Sequence, residues 1–95
     1  MQFEQLRRTF AVKLGATEDD GGDHVYYFLT MDGRDHRIGK VSHSSRGSDA
    51  VPDHVVTDTA HRLRLTKKEL AQLVECSLDR QGFEASWRSR PPYGT

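Results

Sequence analysis

The sequence predicts an α+β domain in which helices pack on one face of a small antiparallel sheet, and three observations predict it. Residues 25–31, Val-Tyr-Tyr-Phe-Leu-Thr-Met, are β-branched and aromatic with no breaker among them. Asp32-Gly33 follows directly, the dipeptide that most readily supplies positive φ at both centres of a tight type I′ turn, so the chain returns as a hairpin through Ile38, Val41 and His43. On either side of this ribbon apolar residues recur at helical spacing, Phe3, Leu6, Phe10 and Leu14 before it and Leu70, Leu73, Val74, Ser77 and Leu78 after it.

Taken in order, the first helix spans Phe3 to Leu14. Gly15 is its stop and Lys13 suits the negative end of its dipole. Ala16 to Asp23 is acidic and glycine-rich, a loop or a short edge strand at Ala16-Thr17-Glu18 with a turn at Gly21-Gly22. The hairpin comes next. A two-residue loop sets Met31 against Arg34, Leu29 against His36, Tyr27 against Ile38, Val25 against Lys40 and His24 against Val41. In that register His43 is a diagonal neighbour of His24 on the same face, about 7–8 Å away between backbones. Ser44 to Val51 is rich in small residues and reads as a mobile loop. Pro52-Asp53 opens a second helix lined by Val55 or Val56, Thr59, Ala60 and Leu63. Thr66-Lys67-Lys68-Glu69 is a capping box that starts a third helix, which Gly82 ends. Residues 1–86 therefore read as a single domain, and residues 87–95 as a basic, proline-containing tail with little order.

Composition narrows the function. Lys plus Arg and Asp plus Glu both number 14, so a general polyanion binder is disfavoured, and any nucleic-acid contact needs its cations gathered on one face. The single cysteine, Cys76, has no disulfide partner and no neighbours at zinc-ligand spacing, which points to a reducing, cytoplasmic setting. No signal-peptide core and no long apolar run is present, so neither secretion by that route nor a membrane span is expected.

The candidate chemistry sits on the hairpin. His24 stands at the mouth of the first strand behind Gly21-Gly22, and an imidazole there can act as acid or base near neutral pH. Paired with His43 it offers both roles needed to cleave RNA through the 2′-hydroxyl. The same two rings with Asp23 offer a weak metal site instead, and chance proximity among five histidines is the plainer alternative. Arg37 and Lys40 on the second strand, with Lys67 and Lys68 near Arg62 and Arg64, can track a phosphate backbone. Interspersed Asp53, Asp58, Glu69 and Glu75 equally suit an ordinary solvated helix surface. Tyr26 and Phe28 can stack unpaired bases or serve as core. A non-enzymatic module that binds a protein partner through the sheet or its edge strand stays open beside the RNA reading.

One resemblance is carried by order rather than by any single residue. Lys13-Leu14-Gly15 ends a helix, Gly22-Asp23-His24 precedes a tyrosine-bearing strand, Asp32-Gly33 turns it, and the return strand closes in Val41-Ser42-His43. This arrangement resembles the HicA family of small mRNA-interferase toxins, well over residues 3–43 and loosely over residues 66–80. Asp23 stands where that family usually has serine. The resemblance implies a double-stranded-RNA-binding-domain-like α-β-β-β-α fold, here with an extra helix before the last one. It also implies metal-independent RNA cleavage with no cofactor, the family's histidine falling on His24, and an antitoxin protein as partner.

Overall fold

A computed structural model describes residues 1–92. The fold is α+β, a three-stranded antiparallel sheet plus four helices among the described residues, and none of these helices is long and apolar enough to cross a membrane. The backbone clusters into two compact units, residues 1–50 and residues 51 onward.

The first unit holds α1 (Phe3–Arg8), which runs on as a π-helical segment (Thr9–Lys13), and then strands β1 (Thr17–Asp20), β2 (His24–Met31) and β3 (Arg34–Ser42). The strands form a meander in the order β1-β2-β3. Phe3, Leu6, Phe10 and Leu14 are all buried, as their spacing requires. The π segment closes with Leu14 N–H donating to the Thr9 carbonyl at 3.0 Å, and Gly15 follows at φ +65° as the stop. Asp32 and Gly33 both have positive φ, 54° and 77°, the signature of the type I′ turn. β1 is the exposed edge strand that the residues before Gly21-Gly22 allowed, starting one residue later and ending two residues later than Ala16-Thr17-Glu18 suggests.

The segment after β3 is tied down rather than loose. A helix start leaves its first N–H groups without intrahelical partners. Here Phe3 N–H donates to the Asp49 carbonyl at 3.0 Å and Glu4 N–H to the Gly47 carbonyl at 2.9 Å, while Gln2 and Ala50 form an antiparallel bridge. Arg7 adds a bond to the Ser45 carbonyl at 3.3 Å. The loop therefore caps α1.

The second unit is helical: α2 (Asp53–Arg62), α3 (Lys67–Val74) and α4 (Arg80–Ser89). The capping box is as expected, Thr66 Oγ1 accepting from Glu69 N–H at 3.1 Å and Glu69 Oε1 from Thr66 N–H at 2.9 Å. Two expectations change. α3 stops at Val74 because Cys76 turns left-handed at φ 69°, so Ser77 and Leu78 do not extend its stripe. Gly82 does not end a helix; it lies in the first turn of α4, its N–H donating to the Asp79 carboxylate at 2.8 Å. The boundary placed at residue 86 falls inside α4, which buries Phe83 and Trp87 one turn apart. Of the tail, residues 93–95 lie outside the described residues.

Candidate functional site

The ladder between β2 and β3 contains one irregularity, and it determines the surface of the sheet. From the turn the pairs run Met31–Arg34, Thr30–Asp35, Leu29–His36 and Phe28–Arg37; then Ile38 is passed over, and Tyr27–Gly39, Tyr26–Lys40, Val25–Val41 and His24–Ser42 follow. The unbroken register, with Tyr27 opposite Ile38 and His24 opposite Val41, is therefore corrected by a β-bulge. Its cause is local crowding. The Phe10 ring, fully buried, sits 4.8 Å from the Tyr27 ring, and a Cβ at position 39 would come within 2.7 Å of Phe10 Cζ. Setting glycine opposite Tyr27 makes room for Phe10, and the extra residue, Ile38, is itself fully buried.

The bulge changes what the other face carries. Residues three apart on a regular strand point to opposite sides. Arg37 and Lys40 are three apart, yet both are exposed, and both pair with residues of one β2 face. That face presents His24, Tyr26 and Phe28, each half-buried, with Lys40 opposite Tyr26 and Arg37 opposite Phe28. Each of these two rungs joins one ring to one cation. The Arg37 guanidinium leans back to 5.6 Å from the Tyr26 centroid, within cation–π range, and the His24 ring lies 6.2 Å from the same centroid at a 40° tilt. Tyr26 rests over the backbone of Gly21, where a Cβ would meet its Cε2 at 2.6 Å. On the β1 side the same face carries Thr17 beside Phe28 and Asp19 beside Tyr26. Sequence reasoning sets His24, Tyr26 and Phe28 on one face of the hairpin but leaves Lys40 opposite Val25, on the other face; the bulge brings it beside Arg37. An isolated glycine inside a strand, Gly39, is the signal that marks such a bulge.

The same shift separates the two histidines. Ser42, not Val41, is opposite His24, so His43 falls one place past the strand with the alternation of Val41. Its ring reaches Asp20, the β1 residue paired with Val25, at 2.9 Å. The expectation of two imidazoles on one face is corrected accordingly. His43 instead fastens the open end of the sheet. Its N–H donates to the Asp23 carbonyl at 3.1 Å, and the Asp20 carboxylate that meets its ring also accepts Gly22 N–H at 3.1 Å. These bonds, that from His43 foremost, hold the Asp20 carboxyl below its ordinary range. Among the described residues no three His, Cys, Asp or Glu side chains gather where they could hold a metal ion, so His24, His43 and Asp23 do not assemble as a ligand set.

Lys67 and Lys68 belong to the second unit, at the start of α3. The cations around them are largely engaged within that unit. Lys67 Nζ meets an Asp53 carboxylate oxygen at 2.6 Å and Arg62 Nε an Asp58 oxygen at 2.9 Å. The Arg64 guanidinium lies over the Trp87 ring, 3.8 Å from its centroid. Arg90 grips Glu69 with both terminal nitrogens, at 2.6 and 2.9 Å, and this holds the Glu69 carboxyl down to about 2. Lys68 is exposed, as is Cys76. This region behaves as a paired surface, whereas Arg37 and Lys40 stand beside aromatic rings.

Compared with protein-family models, with curated proteins and with solved structures, the chain matches none. Fold and site together define a small α+β protein whose sheet presents an aromatic face bordered by cations on its β3 side.

Proposed function

We propose that the chain is an RNA-binding domain of the HicA-like kind, contacting RNA through the outer face of its sheet and using His24 to cleave it. The observation that carries this reading is the pair of rungs Tyr26–Lys40 and Phe28–Arg37. Rings at alternate positions of one strand offer stacking surfaces, and cations on the next strand offer phosphate contacts. His24 occupies the next rung of the same face. In the reaction the RNA 2′-oxygen attacks the adjacent phosphorus and the bond to the 5′-oxygen breaks. The products are a 2′,3′-cyclic phosphate and a 5′-hydroxyl. One proton leaves the 2′-hydroxyl and one reaches the departing oxygen; His24 serves one of these transfers and water the other. Arg37 and Lys40 offset the charge on the phosphate.

The test is cleavage of end-labelled RNA in the presence of a chelator, with binding followed separately by fluorescence anisotropy. A single acid–base group contributes about 10²- to 10⁴-fold, so H24A loses activity on that scale while still binding RNA. An H24A protein that cleaves as well as the parent refutes the catalytic role, and a parent that does not bind RNA refutes the reading as a whole. A second reading, a protein-interaction module, is favoured by one observation: β1 is an edge strand exposed at all four residues, open to pairing with an extended segment of another chain, such as an antitoxin. Under that reading Arg37 and Lys40 are dispensable for binding and RNA shows no salt-dependent association.

A further inference from the structure

We infer that the sheet face is built for one unpaired strand of RNA, seated as a two-nucleotide step, and that it rejects duplex. The inference rests on the RNA-binding reading and names the class of RNA that the site takes. Three features carry it.

The first is spacing. Tyr26 and Phe28 are two residues apart on β2, so their stacking positions are separated by about 6.5–7 Å along the strand. Bases in a stacked helical strand are about 3.4 Å apart. Only an unpaired strand can splay two neighbouring bases to twice that distance, and a duplex hides the base faces that the rings require.

The second is register. Each ring's ladder partner carries a cation, Lys40 for Tyr26 and Arg37 for Phe28, and the Arg37 guanidinium reaches back toward the Tyr26 ring, 5.6 Å from its centroid. Two rings and two cations match a two-nucleotide step, bases on β2 and phosphates along β3. Without the passed-over Ile38, Lys40 would face the other side and the Tyr26 rung would have no cation.

The third is asymmetry of charge. Cations border the rings on the β3 side only. On the β1 side Asp19 is the partner of Tyr26. A single backbone fits along β3. The second backbone of a duplex would have to cross Asp19, whose like charge repels it. His24, the next residue of the same face beyond Tyr26, then stands beside the linkage on the outer side of the Tyr26 nucleotide, so the cut falls just outside the seated step.

The experiment measures anisotropy of a labelled RNA hexamer, alone and annealed to its complement, against the full chain and its variants at one salt concentration. The single strand is expected to bind at least tenfold more tightly than the duplex. Y26L and F28L each weaken single-strand binding by roughly 5- to 100-fold, from the usual worth of one stacked base. Y26F, which keeps the ring, retains it, and circular dichroism confirms that each variant is folded. D19K raises duplex affinity more than single-strand affinity. Equal binding of duplex and single strand, with Y26L and F28L neutral while R37A and K40A lose affinity, overturns the inference and leaves the RNA-binding reading standing. Absence of binding to either RNA defeats that reading itself, and the inference with it.

Discussion

G39A tests the bulge on which the site depends. Gly39 is buried opposite Tyr27, and a methyl at its Cα would lie 2.7 Å from Phe10 Cζ and 3.0 Å from Cε2. Phe10 has no exposed surface and is already in contact with Tyr27, so its ring has no open space into which to retreat. Forcing a methyl into such a contact costs about 1–3 kcal/mol. Replacing glycine within a strand returns roughly 0.5–1 kcal/mol through the unfolded chain. The balance is a loss of about 1–2 kcal/mol, a fall in Tm of roughly 5–15 °C for a domain of this size. Urea unfolding followed by circular dichroism measures the loss. F10L, which shortens the offending ring, destabilises on its own by opening space. In the double variant the two losses should not add: relief of the clash returns at least about 1 kcal/mol as coupling. G39A as stable as the parent, or losses that simply sum, would refute the claim that Phe10 dictates glycine here, and with it the stated cause of the bulge.

The remaining predictions concern charge. Observed RNA affinity should fall with salt at a log–log slope of about −1.4, two phosphate contacts at about 0.7 each, and K40A should halve it; an unchanged slope removes Lys40 from the interface. Arg90 holds the Glu69 carboxyl down to about 2 from its ordinary 4.5, so the contribution of this pair is whole above pH 4.5 and is lost as the pH falls toward 2. E69Q should cost about 1 kcal/mol at neutral pH, reduced by the exposure of the pair, and nothing near pH 2; a gap that persists in acid contradicts the assignment. Burial, helped by the Glu18 carboxylate 3.0 Å from its hydroxyl, pushes the Tyr27 phenol up to about 12 from 10.0. Stability from the protonated phenol is therefore whole below pH 10 and lost between 10 and 12. Y27F should flatten that alkaline loss and cost about 1 kcal/mol at pH 7, both read from thermal melts across pH.

What the sequence discloses and what it withholds divide along the range of the interactions. Asp32-Gly33, the Val25 to Met31 strand, the spacing of Phe3, Leu6, Phe10 and Leu14, and the capping box at Thr66 are local signals, and each forms the element it announces. The bulge is set by Phe10 approaching Gly39 from 29 residues away, so no hairpin rule applied to β2 and β3 alone can place it. The tethering of residues 44–50 depends likewise on orphan N–H groups at the far end of the first unit. α4 was legible in principle: Asp79 is a capping residue, and Phe83 with Trp87 repeats at i, i+4. Gly82 obscured it, because glycine stops many helices yet is tolerated near a start whose cap is strong. The cations of the second unit look like a patch in one dimension, and only coordinates pair them with Asp53, Asp58, Glu69 and Trp87.

The carbonyls of Gly47 and Asp49 that receive the opening amides of α1 have a consequence for how this chain reports its own unfolding. Amide protons of a helix's opening turn, which have no partner within the helix, ordinarily trade with solvent almost at once. Those of Phe3 and Glu4 can do so only when a stretch more than forty positions downstream lets go. Deuterium uptake at the first turn of α1 is thus a gauge of events at residues 44–50, and a cut anywhere in that stretch would register first at Phe3 and Glu4.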